Sequence, residues 1–141
     1  MTASLARYGL GVALFRTNDR AGALEQLDRV SGDDAFVFAA EAELLRGHCH
    51  LALNNPADAA VAFNRVLERH AEHPSAPDAG ALLVEAHHRA GRFDDAISAA
   101  ENLTQRWPDA TMRDRSDLFQ GLSLLARDKP ADAVGVFRSI V

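Results

Sequence analysis

Between Leu82 and Pro108, apolar residues recur at helical spacing in two successive runs. The first run contains Leu82, Leu83, Ala86 and Ala90, and the second contains Phe93, Ala96, Ile97, Ala100 and Leu103. Gly91 stands between the runs, where a glycine permits a sharp reversal of the chain, and Pro108 follows the second run. The pattern predicts a helix, a tight turn and a second helix.

This pattern recurs along the chain. An alanine early in each predicted second helix occurs at Ala23, Ala59, Ala96 and Ala133, at steps of 36, 37 and 37 residues. Twelve residues before these alanines stand Gly11, Gly47, Val84 and Gly121, and four residues after them stand Leu27, Phe63, Ala100 and Phe137. A fixed period of this length is typical of helical repeat proteins. We expect the paired helices to cross at the small residues.

Eight helices are predicted, at residues 3–16, 20–30, 35–53, 57–70, 77–90, 93–106, 112–127 and 131–140. Pro56 and Pro130 suit the first turn of a helix. The connections are short, so neighbouring helices are antiparallel and each hairpin stacks on the next. The predicted fold is therefore all-α, a right-handed superhelical solenoid of four helix-turn-helix repeats in one domain, 1–141. The repeats lie near residues 4–34, 40–74, 77–109 and 114–141.

Composition excludes several classes of function. The formal net charge is −5 and the lysines and arginines are not clustered, which argues against a nucleic-acid-binding surface. The N-terminal apolar run is far shorter than the roughly 20 residues of a membrane span, so no direct membrane insertion is expected. Cys49 is the single cysteine, which excludes an internal disulfide framework.

The repeated segment resembles the tetratricopeptide repeat. The resemblance rests on the small residue, the turn, the alanine, the aromatic residue and the closing proline. The segment GRFDDAISAAENLTQRWPDA, residues 91–110, is the clearest instance. The step of 36 to 37 residues exceeds the usual step of about 34. With the linkers at 73–78 and 108–111, it looks like the subgroup found in bacterial envelope proteins. The resemblance implies a non-enzymatic scaffold that binds proteins without a cofactor. The chain is expected to be soluble, cytoplasmic or periplasmic, within a longer bacterial protein.

The resemblance also implies a ligand groove lined by the first helix of each repeat. Carried over residue by residue, its lining comprises Tyr8, Arg16, Glu41, Leu44, His48, Asp78, Glu85, His88, Arg89, Arg115, Leu118 and Leu122. Chaperone-binding members hold a C-terminal carboxylate with converging donors, and the matching positions here are Tyr8, Val12, Leu45, Asp78 and Leu82. None of these is cationic, so that mode of binding is excluded.

The six histidines are the residues most suited to carry chemistry. His48, Glu85 and His88 could converge on the concave face and offer zinc ligands. The packing interpretation is favoured, because His50 and His87 share a repeat position that the family fills with a large packing residue. No metal site is predicted. No phosphate-binding loop, His-Glu-x-x-His segment or nucleophile elbow occurs, so no enzyme is predicted.

Two functions remain open. The first is a binding module that holds a peptide or protein segment in the groove. The second is an assembly segment that stacks on neighbouring repeats or self-associates through its terminal helices. The first is the main prediction and the second is its alternative, which rests on the apolar residues near both ends, because a solenoid normally carries polar caps. They include Leu5 and Leu10 at the start and Phe137, Ile140 and Val141 at the end. They also predict that the chain is a segment of a longer protein.

Overall fold

The computed structural model describes residues 2–109 and 112–141. Met1, Ala110 and Thr111 lie outside the described residues, so the linker predicted at 108–111 is described only in part. The described residues form eight α-helices and no strand. They are α1 Thr2–Arg16, α2 Arg20–Asp28, α3 Ala39–Ala52, α4 Pro56–Arg69, α5 Ala76–Arg89, α6 Phe93–Arg106, α7 Arg113–Ala126 and α8 Pro130–Ile140. The all-α prediction is confirmed.

The start of α3 was predicted wrongly, at residue 35 instead of Ala39. The segment before it forms tight turns, in which the Phe36 N–H donates to the Asp33 carbonyl at 2.9 Å and the Ala39 N–H donates to the Phe36 carbonyl at 3.0 Å. The ring of Phe36 is buried and lies edge-on to Tyr8, at a centroid distance of 6.1 Å. The apolar residues before α3 therefore anchor a turn to α1 instead of extending a helical stripe.

All four hairpin turns use the same backbone conformation. The residue five before the repeat alanine has positive φ in each hairpin: Asn18 at 66°, Asn54 at 60°, Gly91 at 75° and Asp128 at 58°. Asparagine, aspartate and glycine tolerate this left-handed region best. The next N–H in each turn reaches back to the helix carbonyl five residues earlier, at 2.9, 2.7, 2.9 and 2.9 Å, from Asp19, Asn55, Arg92 and Lys129. The turn chemistry thus repeats with the helices.

Small residues mark the helix crossings, as the repeat pattern predicts. A Cβ atom built on Gly47 would lie 2.4 Å from the Phe63 ring, and one on Gly121 would lie 2.5 Å from the Phe137 ring. The third hairpin reverses the sizes, because Val84 packs with Ala96 and Ala100 in one buried cluster. Each of these three crossings therefore combines a smaller residue with a larger one, which lets the two helices pack closely.

The described helices divide into two compact units, Met1–His73 and Pro74–Val141. In the first unit α3 packs on both α2 and α4, and the core gathers Ala23, Leu27, Val30, Phe36 and Cys49. In the second unit α7 packs on both α5 and α6. The four repeat alanines are all buried, so we expect a larger side chain at these positions to overpack the hairpin.

Candidate functional site

In the second unit, the first helices α5 and α7 are joined by a buried carboxylate. Glu85 is only 5% exposed, and its Oε2 accepts from Arg115 Nε at 2.6 Å and lies 2.5 Å from Arg115 Nη2. Arg89 Nη1 approaches the other oxygen at 3.7 Å. The contact of two guanidinium nitrogens with one carboxylate fixes the orientation of Arg115 as well as its position. Three predicted groove residues, Glu85, Arg89 and Arg115, thus form one ion-paired group.

His88 forms a second link between α5 and α7. Its Nδ1 shares a hydrogen bond with Ser123 Oγ at 2.9 Å, and its ring lies 5.4 Å from the rings of both Phe93 and Phe119. Burial lowers the pKa of His88, and the nearby charge of Glu85 opposes that effect. The direction of this shift favours the neutral imidazole, which packs against the two rings and hydrogen-bonds to Ser123. Sequence reasoning missed Ser123, because a serine 35 residues away carries no periodic signal.

Apolar side chains on α7 continue this surface beyond Arg115. Leu118 and Leu125 are 42% and 47% exposed, and Leu122 between them is half-buried. Their spacing places them along one face of the helix. Asp78, in the first turn of α5, is also half-buried. We name the residues Glu85, His88, Arg89, Arg115, Leu118, Leu122 and Leu125 the first-helix surface of the second unit.

The predicted groove residues of the first unit are less closely grouped. Tyr8 stacks on Phe38 at a centroid distance of 4.9 Å, and burial, with the charge of Glu41, raises its pKa. Glu41 Oε1 lies 3.1 Å from His73 Nε2. His48 lies edge-on to Phe63, with ring centroids 5.8 Å apart. Leu44 is half-buried and Arg16 is exposed on the last turn of α1.

The residues weighed as zinc ligands have other roles. His48 belongs to the first unit, whereas Glu85 and His88 belong to the second and are engaged by Arg115 and Ser123. Within residues 2–109 and 112–141, no group of three histidine, cysteine or carboxylate side chains could hold a metal ion. Cys49 is buried in the first core, and burial raises the pKa of its thiol.

His50 and His87 occupy one repeat position, at which the other repeats have Leu14 and Leu124. The Nδ1 atom of each is buried without a hydrogen-bond partner among the described residues. Burial lowers the pKa of both imidazoles, more strongly than Asp58 and Asp95 raise them. The packing interpretation of these two histidines is the one that their surroundings support.

A pH dependence follows from these histidines. In the unfolded chain these two imidazoles bind protons near pH 6.5, whereas in the folded chain their pKa values are lower. Their contribution to the free energy of unfolding is therefore largest above pH 6.5 and decreases as the pH falls below it. We expect His50→Leu/His87→Leu to flatten this fall and to raise the free energy of unfolding at pH 7 by about 1 kcal/mol or more. Thermal unfolding between pH 5 and pH 8 measures both effects. An unchanged slope in the double variant would contradict the assignment.

Charged side chains fill the space between α2, α3 and α4 in the first unit. Glu43 is only 3% exposed, and its Oε2 lies 2.9 Å from Arg46 Nη1 while its Oε1 lies 3.6 Å from Arg65 Nη1. Arg46 Nε also donates to Asp28 Oδ1 at 2.7 Å. Burial alone would lower the pKa of Arg46, but these carboxylates outweigh it and raise the pKa. We name Asp28, Glu43, Arg46 and Arg65 the arginine network; sequence reasoning did not predict it.

Comparison with known proteins identifies the family. Sequence models of the tetratricopeptide repeat match residues 44–111 and 83–141, and a further one matches residues 4–29. These matches extend over most of the chain, so the protein belongs to the tetratricopeptide repeat family, a class of helical repeat proteins that serve as protein-interaction scaffolds. A search of curated proteins found no match.

Solved structures of MamA share the fold. One MamA crystal structure is 21% identical and superposes with a TM-score of 0.76, covering 97% of this chain and 75% of that chain. MamA from Desulfovibrio magneticus RS-1, from residue 41 to its end, is 20% identical with a TM-score of 0.76, covering 97% and 73%. A third MamA structure, 19% identical, has a TM-score of 0.59. At this identity the likeness establishes the helical repeat fold.

Among the described residues, no helix is long and apolar enough to span a membrane.

Proposed function

We propose that this chain is a non-enzymatic scaffold that binds a protein or peptide segment on the first-helix surface of the second unit. The observation that carries the proposal is the combination of exposed Leu118 and Leu125 with an ordered ion pair beside them. Exposed leucines along one helix face offer apolar anchors, and a fixed guanidinium offers a directional polar contact. The family's use as interaction scaffolds supports the same function.

The ion pair holds the charged side chains of this surface in place before a partner binds. Arg115 and Arg89 both point at the buried Glu85 carboxylate, so neither guanidinium has to be ordered entirely on binding. A surface ordered in advance loses less side-chain entropy on association. We therefore expect a segment with apolar side chains at helical or extended spacing and a polar group near Arg115. In the first unit, Tyr8, Arg16, Glu41, Leu44 and His48 are proposed to contribute further contacts.

The second candidate function is assembly, by stacking on further repeats or by self-association through the terminal helices. Leu5 and Leu10 on α1 and Val134 on α8 are exposed apolar residues, which favours it. The two functions differ in which helices contact the partner. Binding through α5 and α7 leaves α1 and α8 free, whereas assembly engages them first.

A charge reversal at Glu85 would not separate these functions cleanly, because it would leave a buried cation opposite Arg115 and disturb the packing of α5 on α7. Leu118→Asp is the better variant, since the leucine side chain is partly exposed and its replacement removes neither Glu85 nor Arg115. Val61→Asp is the matched control, because Val61 is 51% exposed and lies on the second helix α4.

Affinity capture from the source organism tests the proposal with these variants. Leu118→Asp is expected to lose the partner that the wild type and Val61→Asp retain. The loss should reach about tenfold or more, because an apolar anchor replaced by a charge costs more than 1.4 kcal/mol. Identical captured proteins for all three would contradict binding on this surface. Capture of the chain's own copies by all three would favour assembly.

A further inference from the structure

The second unit contains counterparts of the arginine network. The alignment on the repeat alanines places Glu101 where the first unit has Asp28, and Asp117 where it has Glu43. Both negative charges are therefore retained. Like Glu43, Asp117 is buried on the first helix of its hairpin, with an exposed fraction of 7%. Like Asp28, Glu101 is exposed on the second helix of the preceding hairpin.

The two cations of the network have no counterpart. Gln120 stands at the position of Arg46, and Ser139 stands at the position of Arg65. Gly135 stands at the position of Val61, and a Cβ added to Gly135 would meet nothing within 4 Å. The three positions that carry Arg46, Arg65 and Val61 in the first unit thus carry smaller, uncharged side chains in the second unit.

These positions line an open cleft between α6 and α8, with α7 as its floor. Its volume is about 420 Å³, and its lining includes Glu101, Asp117, Gln120, Gly135 and Ser139. A second hollow of about 560 Å³ shares Glu101, Gln120 and Gly135, and extends the cleft toward Lys129 and Asp132 at the start of α8. We name the first of these spaces the α6–α8 cleft.

Among the described residues, neither Glu101 nor Asp117 forms an ion pair. Burial raises the pKa of Asp117; the charge of Arg113 and a hydrogen bond with Ser139 oppose this rise only in part. Arg113 also lines the cleft. Its Nη1 donates a hydrogen bond to the Pro108 carbonyl at 2.9 Å. Its Nε is buried and has no hydrogen-bond partner in the described part of the chain. The lining therefore carries two negative charges and one positive charge.

We propose that the α6–α8 cleft binds an arginine side chain of a protein partner, with its guanidinium between Asp117 and Glu101. The first unit supplies the precedent within the same chain, because one guanidinium, that of Arg46, contacts both Glu43 and Asp28. A planar guanidinium can donate to two carboxylates at once, whereas a lysine ammonium cannot reproduce that geometry. This site is separate from the first-helix surface of the second unit and does not depend on it.

Backbone amide NMR of the whole chain, titrated with N-acetyl-arginine amide, tests the proposal. We expect saturable shift changes confined to α6, α7 and α8, centred on Gln120, Gly135 and Ser139. N-acetyl-citrulline amide, which has nearly the same shape without the charge, is expected to cause no saturable change. N-acetyl-lysine amide, which carries the charge without the planar guanidinium, is expected to bind more weakly than the arginine compound. No saturation with the arginine compound, or equal binding of the citrulline or the lysine compound, would overturn the proposal. Tighter binding of free arginine than of an arginine placed within a capped peptide would overturn the assignment to a protein partner.

Variants connect the binding to the residues. Glu101→Gln changes an exposed side chain and keeps its volume, so it is expected to fold normally and to weaken binding about tenfold, as the loss of a charged hydrogen bond does. Asp117→Asn should act in the same direction. Gln120→Arg/Ser139→Arg restores the network side chains and should abolish binding while raising the thermal midpoint. Glu25→Gln, an exposed acid of the first unit, is the charge-matched control. Unchanged binding in Glu101→Gln and in the double arginine variant would refute the site.

Discussion

Gly47→Val is expected to lower the free energy of unfolding by about 3 kcal/mol, because it adds atoms where the Phe63 ring already lies. A single Cβ at this position would be 2.4 Å from Phe63 Cε1, and that ring is fully buried. Neither α3 nor α4 can retreat without opening the rest of their contact. Gly9→Val is the matched control, since a Cβ on Gly9 meets nothing within 4 Å, and it should change stability by less than about 0.5 kcal/mol.

The third hairpin indicates which second substitution should restore part of the stability lost in Gly47→Val. Val84 and Ala100 occupy the positions of Gly47 and Phe63 and pack together in a buried cluster. Phe63→Ala alone should cost about 3 to 5 kcal/mol, because it leaves a cavity. The double variant Gly47→Val/Phe63→Ala should be more stable than either single variant. Thermal and urea unfolding measure the coupling, and strictly additive losses would show that the two residues do not share one contact.

Arg46→Met is expected to cost about 3 kcal/mol, because it leaves the buried Glu43 carboxylate with only the more distant Arg65. Methionine retains most of the apolar stem, so the loss reports mainly on charge. Arg29→Met is the matched control, since Arg29 and Glu25 form an exposed pair at 3.2 Å that should contribute less than about 0.5 kcal/mol. Unfolding in urea at two salt concentrations measures both. Equal losses in the two variants would mean that Arg46 acts only as a packing residue.

Periodic features of this fold could be predicted from the sequence. The alanine step, the small residues twelve positions earlier and the turn residues all follow local rules, because each depends on neighbours within one hairpin. Gly47 and Phe63 are sixteen residues apart in one hairpin, and their contact is implied by the alignment of the repeats. The start of α3 was missed because Phe36 contacts Tyr8 on another helix, a tertiary contact that overrides the local apolar pattern.

The chemistry between hairpins was less predictable. The pair of Glu85 with Arg115 spans 30 residues, and that of Asp28 with Arg46 spans 18, so neither leaves a short-range signal. The groove positions carried over from the family named Glu85 and Arg115 as lining residues without revealing that they pair. The α6–α8 cleft was not predicted at all, because Gln120, Gly135 and Ser139 in its lining leave no periodic signal within one hairpin. Aligning repeat against repeat, position by position, is the signal that could have found it.

Site-specific photocrosslinking tests the central claim most directly, that the first-helix surface of the second unit contacts a protein partner. A photoreactive phenylalanine derivative is placed at Leu118 in one variant and at Val61 in another, and both are irradiated in the source organism. Leu118 and Val61 have similar exposure, on a first helix and a second helix respectively, so they differ chiefly in the surface that they report on. The proposal predicts a discrete protein adduct at Leu118 and none at Val61. Adducts at Val61 alone, or none at either position in cells where affinity capture finds a partner, would contradict it.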